Sequence, residues 1–152
     1  MHNTPDVLMA RGDAYRALGK DDLAKADYKA AAVLESYSPQ DLATRCWVRT
    51  LRGGPLGPAL EDCDSAVTAM PNDPTARDDR CMLHYRRGEF AAALADCEAA
   101  LALAPNYANA LYFRGLAKLK SGDAAGGEAD VAAALGKNRH LADAYGVFGM
   151  TR

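Results

Sequence analysis

Residues 75–105 read TARDDRCMLHYRRGEFAAALADCEAALALAP, and the pattern in them decides the architecture. Thr75 to Arg87 reads as one helix, Gly88-Glu89 as a turn, and Phe90 to Leu103 as a second helix. Ala93, Cys97, Ala100 and Leu101 fall at i, i+4, i+7 and i+8, one apolar stripe of a 3.6-residue helix. Pro105 closes the unit, because proline cannot donate the next helical hydrogen bond and biases Ala104 away from helical dihedrals. The stretch is a helix hairpin.

Outward from it, the same phase returns along the chain. Arg11-Gly12, Arg45-Cys46, Arg80-Cys81 and Arg114-Gly115 set arginines 34, 35 and 34 residues apart. Asp27, Asp62, Asp96 and Asp130 keep intervals of 35, 34 and 34. Ala31, Ala66, Ala100 and Ala134 follow the same phase, as do Gly19, Gly53, Gly88 and Gly122. Four series in register mean a copied unit. The copies span about 5–38, 39–73, 74–107 and 108–141 of a single domain over 1–152. The glycine-rich turn Gly53-Gly54-Pro55-Leu56-Gly57 carries the one extra residue of the second copy, with Pro58 near the start of the following helix. Ala142 to Gly149 repeats the form of Ala108 to Gly115, which predicts a closing helix over 141–150 covering the end of the stack.

These units resemble tetratricopeptide repeats, whose hairpins carry a large, a small and an aromatic residue on the first helix, then alanine, aromatic, alanine and proline. Copy one supplies Leu8, Gly12, Tyr15, Ala24, Tyr28 and Ala31, with Ser36 where proline is usual. Copy two supplies Leu42, Cys46, Ala59, Cys63, Ala66 and Pro71; copy three Cys81, Ala93, Cys97, Ala100 and Pro105; copy four Leu111, Gly115, Gly127, Val131 and Ala134. The aromatic slot of the first helix departs from the family in Arg49, His84 and Lys118, which are expected to pack through their aliphatic stems. The resemblance implies an all-α, right-handed α-solenoid. It further implies a non-enzymatic protein–protein interaction module that binds a peptide or partner helix in its concave groove.

Composition narrows the function. The chain has 152 residues, 18 basic against 20 acidic side chains and 32 alanines. Such a balance suits a folded protein and lacks the basic footprint of a nucleic-acid binder. No run of 18 apolar residues spans a membrane, and Met1 to Ala10 lacks a secretory signal. A cytoplasmic protein is therefore expected, with a periplasmic or secreted one the alternative if a leader has been removed. No nucleotide loop, nucleophile elbow or metal spacing occurs, so no catalytic residue, cofactor or metal is expected.

Three sets of residues stand out. The arginine and aspartate series hold one phase beside the apolar stripes, which predicts a ladder of ion pairs within or between repeats. Cys46, Cys63, Cys81 and Cys97 all fall on buried stripes. They are read first as free core cysteines, with one or two disulfides, Cys46 to Cys63 among them, as the alternative. By the phase of the resemblance, the groove is lined by Met9, Arg16, Trp47, Leu51, Met82, Tyr85, Arg86, Tyr112, Leu116 and Lys120. Trp47 and Phe113 can equally turn into the stack. The positions at which related repeats clamp acidic chaperone tails hold Met9, Asp13, Thr44, Thr75 and Asp79, so that clamp is not expected. A structural subunit acting by self-association is the competing reading.

Overall fold

The computed structural model describes residues 5–34 and 37–152, leaving out the side chains of 32–34. Ser36, read as standing in place of the closing proline, lies outside the described residues. All regular elements among the described residues are α-helices. They are α1 (Pro5–Ala17), α2 (Asp21–Leu34), α3 (Pro39–Arg52), α4 (Gly57–Ala69) and α5 (Pro74–Arg86). α6 (Phe90–Leu103), α7 (Ala108–Lys120), α8 (Ala124–Lys137) and α9 (Leu141–Gly146) follow. The first eight form four successive hairpins, the stepped arrangement of an α-solenoid.

Local chemistry sets the helix ends. Ser38 and Asp41 form a reciprocal capping box at α3: the Ser38 hydroxyl accepts from the Asp41 N–H at 3.2 Å, and the Asp41 carboxylate accepts from the Ser38 N–H at 3.0 Å. Asp73 accepts from the Thr75 N–H at 2.7 Å and Asp123 from the Gly126 N–H at 2.9 Å, capping α5 and α8. The periodic turn glycine has a backbone cause. Gly88 adopts φ +76°, a left-handed conformation that side chains disfavour, and Gly19, Gly53 and Gly122 repeat it.

One slot pair joins the two helices of every hairpin. In the first, Gly12 faces the Tyr28 ring; in the fourth, Gly115 faces Val131 and the backbone carbonyl of Gly127. In the second and third, the same slots hold disulfides, Cys46–Cys63 and Cys81–Cys97. The expectation of free core cysteines is thereby corrected. All four are fully buried, as their stripes predict, but each pair is bonded, because the slot brings their Cα atoms to 5.0 and 5.3 Å.

The apolar interior is concentrated toward the C-terminus. One cluster joins Leu51, Met82, Tyr85, Leu101, Phe113, Leu116, Val131, Leu141, Tyr145 and Met150, among others. The interface between the first and second hairpins is more polar: a cavity of about 280 Å³ there is lined by Lys25, Lys29, Arg45, Arg49, Glu61 and Asp62 beside Met9 and Tyr28.

The closing helix also differs from expectation. It stops at Gly146, and the chain turns back through Gly149, at φ +74°, so that the Met150 N–H bonds the Tyr145 carbonyl at 3.1 Å. Met150 is then 2% exposed, packed in the main apolar cluster instead of extending the end of the stack.

Candidate functional site

Two features of the solenoid carry charge or concave surface: the arginine–aspartate ladder, and the face to which α3, α5 and α7 contribute. The ladder runs within hairpins. Arg11 grips Asp27 through two hydrogen bonds of 2.6 Å, and Arg80–Asp96 and Arg114–Asp130 repeat the grip at 2.7 Å. Hydrogen bonding to Arg11 holds the Asp27 carboxyl below its ordinary range. The second hairpin is the loose rung: Arg45 and Arg49 each stand 3.4 Å from Asp62, and burial pushes that carboxyl upward against both cations. Its partners are separated by 17 positions where the other rungs have 16, which is the register of the inserted turn residue.

The family's missing aromatic residues are explained here. Arg49, His84 and Lys118 approach Asp62, Asp96 and Asp130 at 3.4, 3.6 and 2.8 Å, so the slot sets a second basic side chain beside each carboxylate, one turn beyond each arginine. They serve the ladder directly, beyond packing through their stems. In the first hairpin the slot keeps Tyr15, with the Arg11 guanidinium 6.0 Å from its ring centre. One rung also crosses a repeat boundary, where Arg80 donates to Asp64 at 2.9 Å.

The inner face is partly occupied by the chain itself. Tyr145 stacks on Tyr112 at 6.0 Å and meets Phe113 edge-on at 4.7 Å. Trp47 and the Tyr145 ring line one cavity together. Beyond it, three main-chain carbonyls are held: Arg86 donates to Phe148 at 3.2 Å, Tyr112 to Met150 at 3.4 Å and Tyr85 to Thr151 at 3.3 Å. The expected groove residues therefore divide. Leu51, Met82, Tyr85, Tyr112 and Leu116 come together, but buried in the same cluster as Met150. Arg86 and Lys120 border a cavity of about 300 Å³ beside Phe148 and Gly149. Trp47 stays 41% exposed, while Phe113 turns fully into the stack. Met9 and Arg16 lie apart, Met9 under the Arg45 guanidinium at 3.6 Å and Arg16 turned against Gly57 and Glu61 of the second hairpin.

Two acids on α5 complete the face. Asp78 and Asp79 are 3% and 6% exposed. Burial, then the neighbouring Asp79 carboxylate, pushes Asp78 well up, although Asn109 hydrogen-bonds it. Burial, reinforced by Asp73, pushes Asp79 up to about 7. The clamp comparison places Asp79 on the inner face, but spacing alone does not predict that it and Asp78 are buried. The signal was present in the register. Where α5 has Asp78, the other copies have Met9, Ala43 and Tyr112; where it has Asp79, they have Ala10, Thr44 and Phe113.

No protein-family model matches the sequence, and no curated protein matches it either. Solved structures do. A thermophilic TPR protein of Thermus thermophilus superposes with a TM-score of 0.63 at 22% identity, over 97% of this chain and 84% of that one. MamA gives 0.56 at 19% identity, over 93% and 82%. A tetratricopeptide repeat protein from Parabacteroides merdae gives 0.58 at 25% identity, over 95% of this chain and 58% of that one. The fold is that of the tetratricopeptide repeat.

Proposed function

We propose that the chain is a non-enzymatic protein-interaction module whose inner face binds an extended peptide or helix of a partner. One observation carries this reading: the face already holds a peptide, its own C-terminal segment, by the main-chain carbonyls of Phe148, Met150 and Thr151. Main-chain carbonyls are common to every partner, so a face that supplies Arg86, Tyr112 and Tyr85 to them offers sequence-independent grip. Selectivity then falls to the accessible rim, where Trp47, Arg86 and Lys120 stand. Leu51, Met82, Tyr112 and Leu116 become anchors only where the tail is displaced.

The tail acts as an internal competitor, which lowers apparent affinity by the fraction of molecules in which it is bound. The two disulfides favour an oxidising compartment over the cytosol, since cytosolic thiols are kept reduced.

A pull-down from the source organism with wild type beside Trp47→Ala/Arg86→Ala tests the reading. Both residues are accessible enough for the variant to keep its far-UV spectrum, which the enclosed Tyr112 would not allow. Partners retained by wild type and lost by the folded variant support the inner face. Identical partner sets overturn it.

A further inference from the structure

A cavity of about 370 Å³ opens between α3, α5, α7 and α9, lined by Trp47, Tyr107 and Tyr145 with Gln40, Thr44, Thr75 and Asn109. Asp79 lies in its wall, 6% exposed, and among the described residues no hydrogen bond or ion pair reaches it. Behind it, Asp78 is enclosed, with Asn109 on its carboxyl and one oxygen left without a partner. No lysine, arginine or histidine is among the lining residues.

The combination is unusual physically. A buried carboxylate ordinarily has a cation or several donors beside it, because an unpaired charge in a low-dielectric site is costly. The ladder of this same chain shows the ordinary case, with two cations on Asp96 and two on Asp130. Asp79 instead has three aromatic side chains around the space in front of it, and aromatic faces attract cations. The missing component is a positive charge.

We propose that this cavity takes the ammonium or guanidinium end of a basic side chain, set among Trp47, Tyr107 and Tyr145 and paired with Asp79. The proposal rests on the peptide reading for the source of that side chain. Hydrogen-bond donors decide between classes of cation. Asp79 lacks donors, and a quaternary ammonium, which has none, would leave it unsatisfied. Charge on Asp79 also sets the pH response. The titratable groups facing it are Asp78 and Asp73 from its own segment, Tyr107 at the start of α7 and Tyr145 on α9, all acids that bring no positive charge. Protonation of Asp79 near neutrality therefore removes the attraction, and cation binding weakens as pH falls.

The test uses the full chain and the emission of Trp47, the single tryptophan, which lines the cavity. At pH 8, n-butylammonium and n-butylguanidinium should shift that emission saturably, and the isosteric neutral n-butanol should not. Affinity should fall at least about tenfold in Asp79→Asn and at pH 5.5, and tetramethylammonium should bind several-fold more weakly. Asparagine matches the protonated acid in shape, and an unchanged far-UV spectrum keeps the comparison valid. A capped Ala-Lys-Ala peptide that binds where its norleucine counterpart does not identifies the source as a peptide side chain. Binding of n-butylammonium alone retains the cationic site but overturns the peptide source. Equal titration by n-butanol, or undiminished binding in Asp79→Asn, overturns the proposal outright. Because these probes are small cations, the outcome is independent of the pull-down that tests the inner face.

Discussion

Arg80 holds both carboxylate oxygens of Asp96 at 2.7 Å, and the same guanidinium reaches across a repeat boundary to Asp64 at 2.9 Å. The Asp96 side chain is only 8% exposed and also receives Arg77 at 3.8 Å and His84 at 3.6 Å. Asp96→Ala strands those groups beside a partly dry interface. We expect a loss of about 2–4 kcal/mol in urea unfolding, since removing one member of an enclosed pair leaves its partners uncompensated. Asp27→Ala should cost distinctly less, because Arg11 is 46% exposed and water replaces its partner. Equal losses at the two rungs would show that enclosure does not govern the ladder.

The bonded cysteines give a second expected outcome. Each disulfide closes a short loop, with separations of 17 and 16 residues, and a loop of that size restricts the unfolded chain by about 3 kcal/mol. Alkylation of the unfolded, unreduced protein should label none of the four cysteines. Reductant should lower the urea midpoint of wild type, and a Cys81→Ala/Cys97→Ala variant should respond only through its remaining bond. Four labelled thiols in material from an oxidising compartment would overturn the pairing.

Helix approach in the fourth hairpin is tested by two glycines on one helix. A Cβ on Gly127 would stand 2.8 Å from the Gly115 carbonyl and 2.6 Å from Leu119, whereas a Cβ on Gly136 meets nothing within 4 Å. Gly127→Ala should therefore destabilise by about 1–3 kcal/mol, overpacking outweighing the better helix propensity. Gly136→Ala should stabilise by up to about 1 kcal/mol, with propensity acting alone. Thermal melts of the two variants should move in opposite directions.

These contrasts also explain what the sequence disclosed. Periodicity exposes whatever recurs in every copy, so the hairpins, the turn glycines and the Arg11, Arg80 and Arg114 rungs could all be read from spacing. The disulfides were half legible: the register made a Cys46 to Cys63 bond possible, but burial alone does not distinguish a small thiol from half of a bond. The path of the tail was not legible. Tyr145 matches Leu111 in phase, yet Gly146 and Gly149 let the chain turn onto the inner face, and its contacts with Tyr112 and Phe113 depend on superhelical curvature that no single repeat encodes. The burial of Asp79 was not legible for a related reason, since it comes from α3, α7 and α9 together.

Asp79 also makes stability depend on pH in an identifiable direction. Its carboxyl is raised to about 7 in the folded chain, from an ordinary 3.8, by burial and then by Asp73. The folded state thus binds the proton more tightly than the unfolded state, so this group favours folding at low pH and loses that contribution as pH rises through about 7. Between pH 8 and pH 5 the gain for the folded state is on the order of 2–3 kcal/mol from this residue. Asp78 shifts the same way, whereas the depressed Asp27 and Glu89 act oppositely and only in more acidic solution, where they too become protonated. The difference between wild type and Asp79→Asn isolates the term. We expect Asp79→Asn to be more stable than wild type at pH 8, with the advantage shrinking steadily toward pH 5 in urea titrations at constant ionic strength. A difference independent of pH would mean that Asp79 keeps an ordinary acidity in the folded protein and that its surroundings are wetter than the enclosed wall among Trp47, Tyr107 and Tyr145.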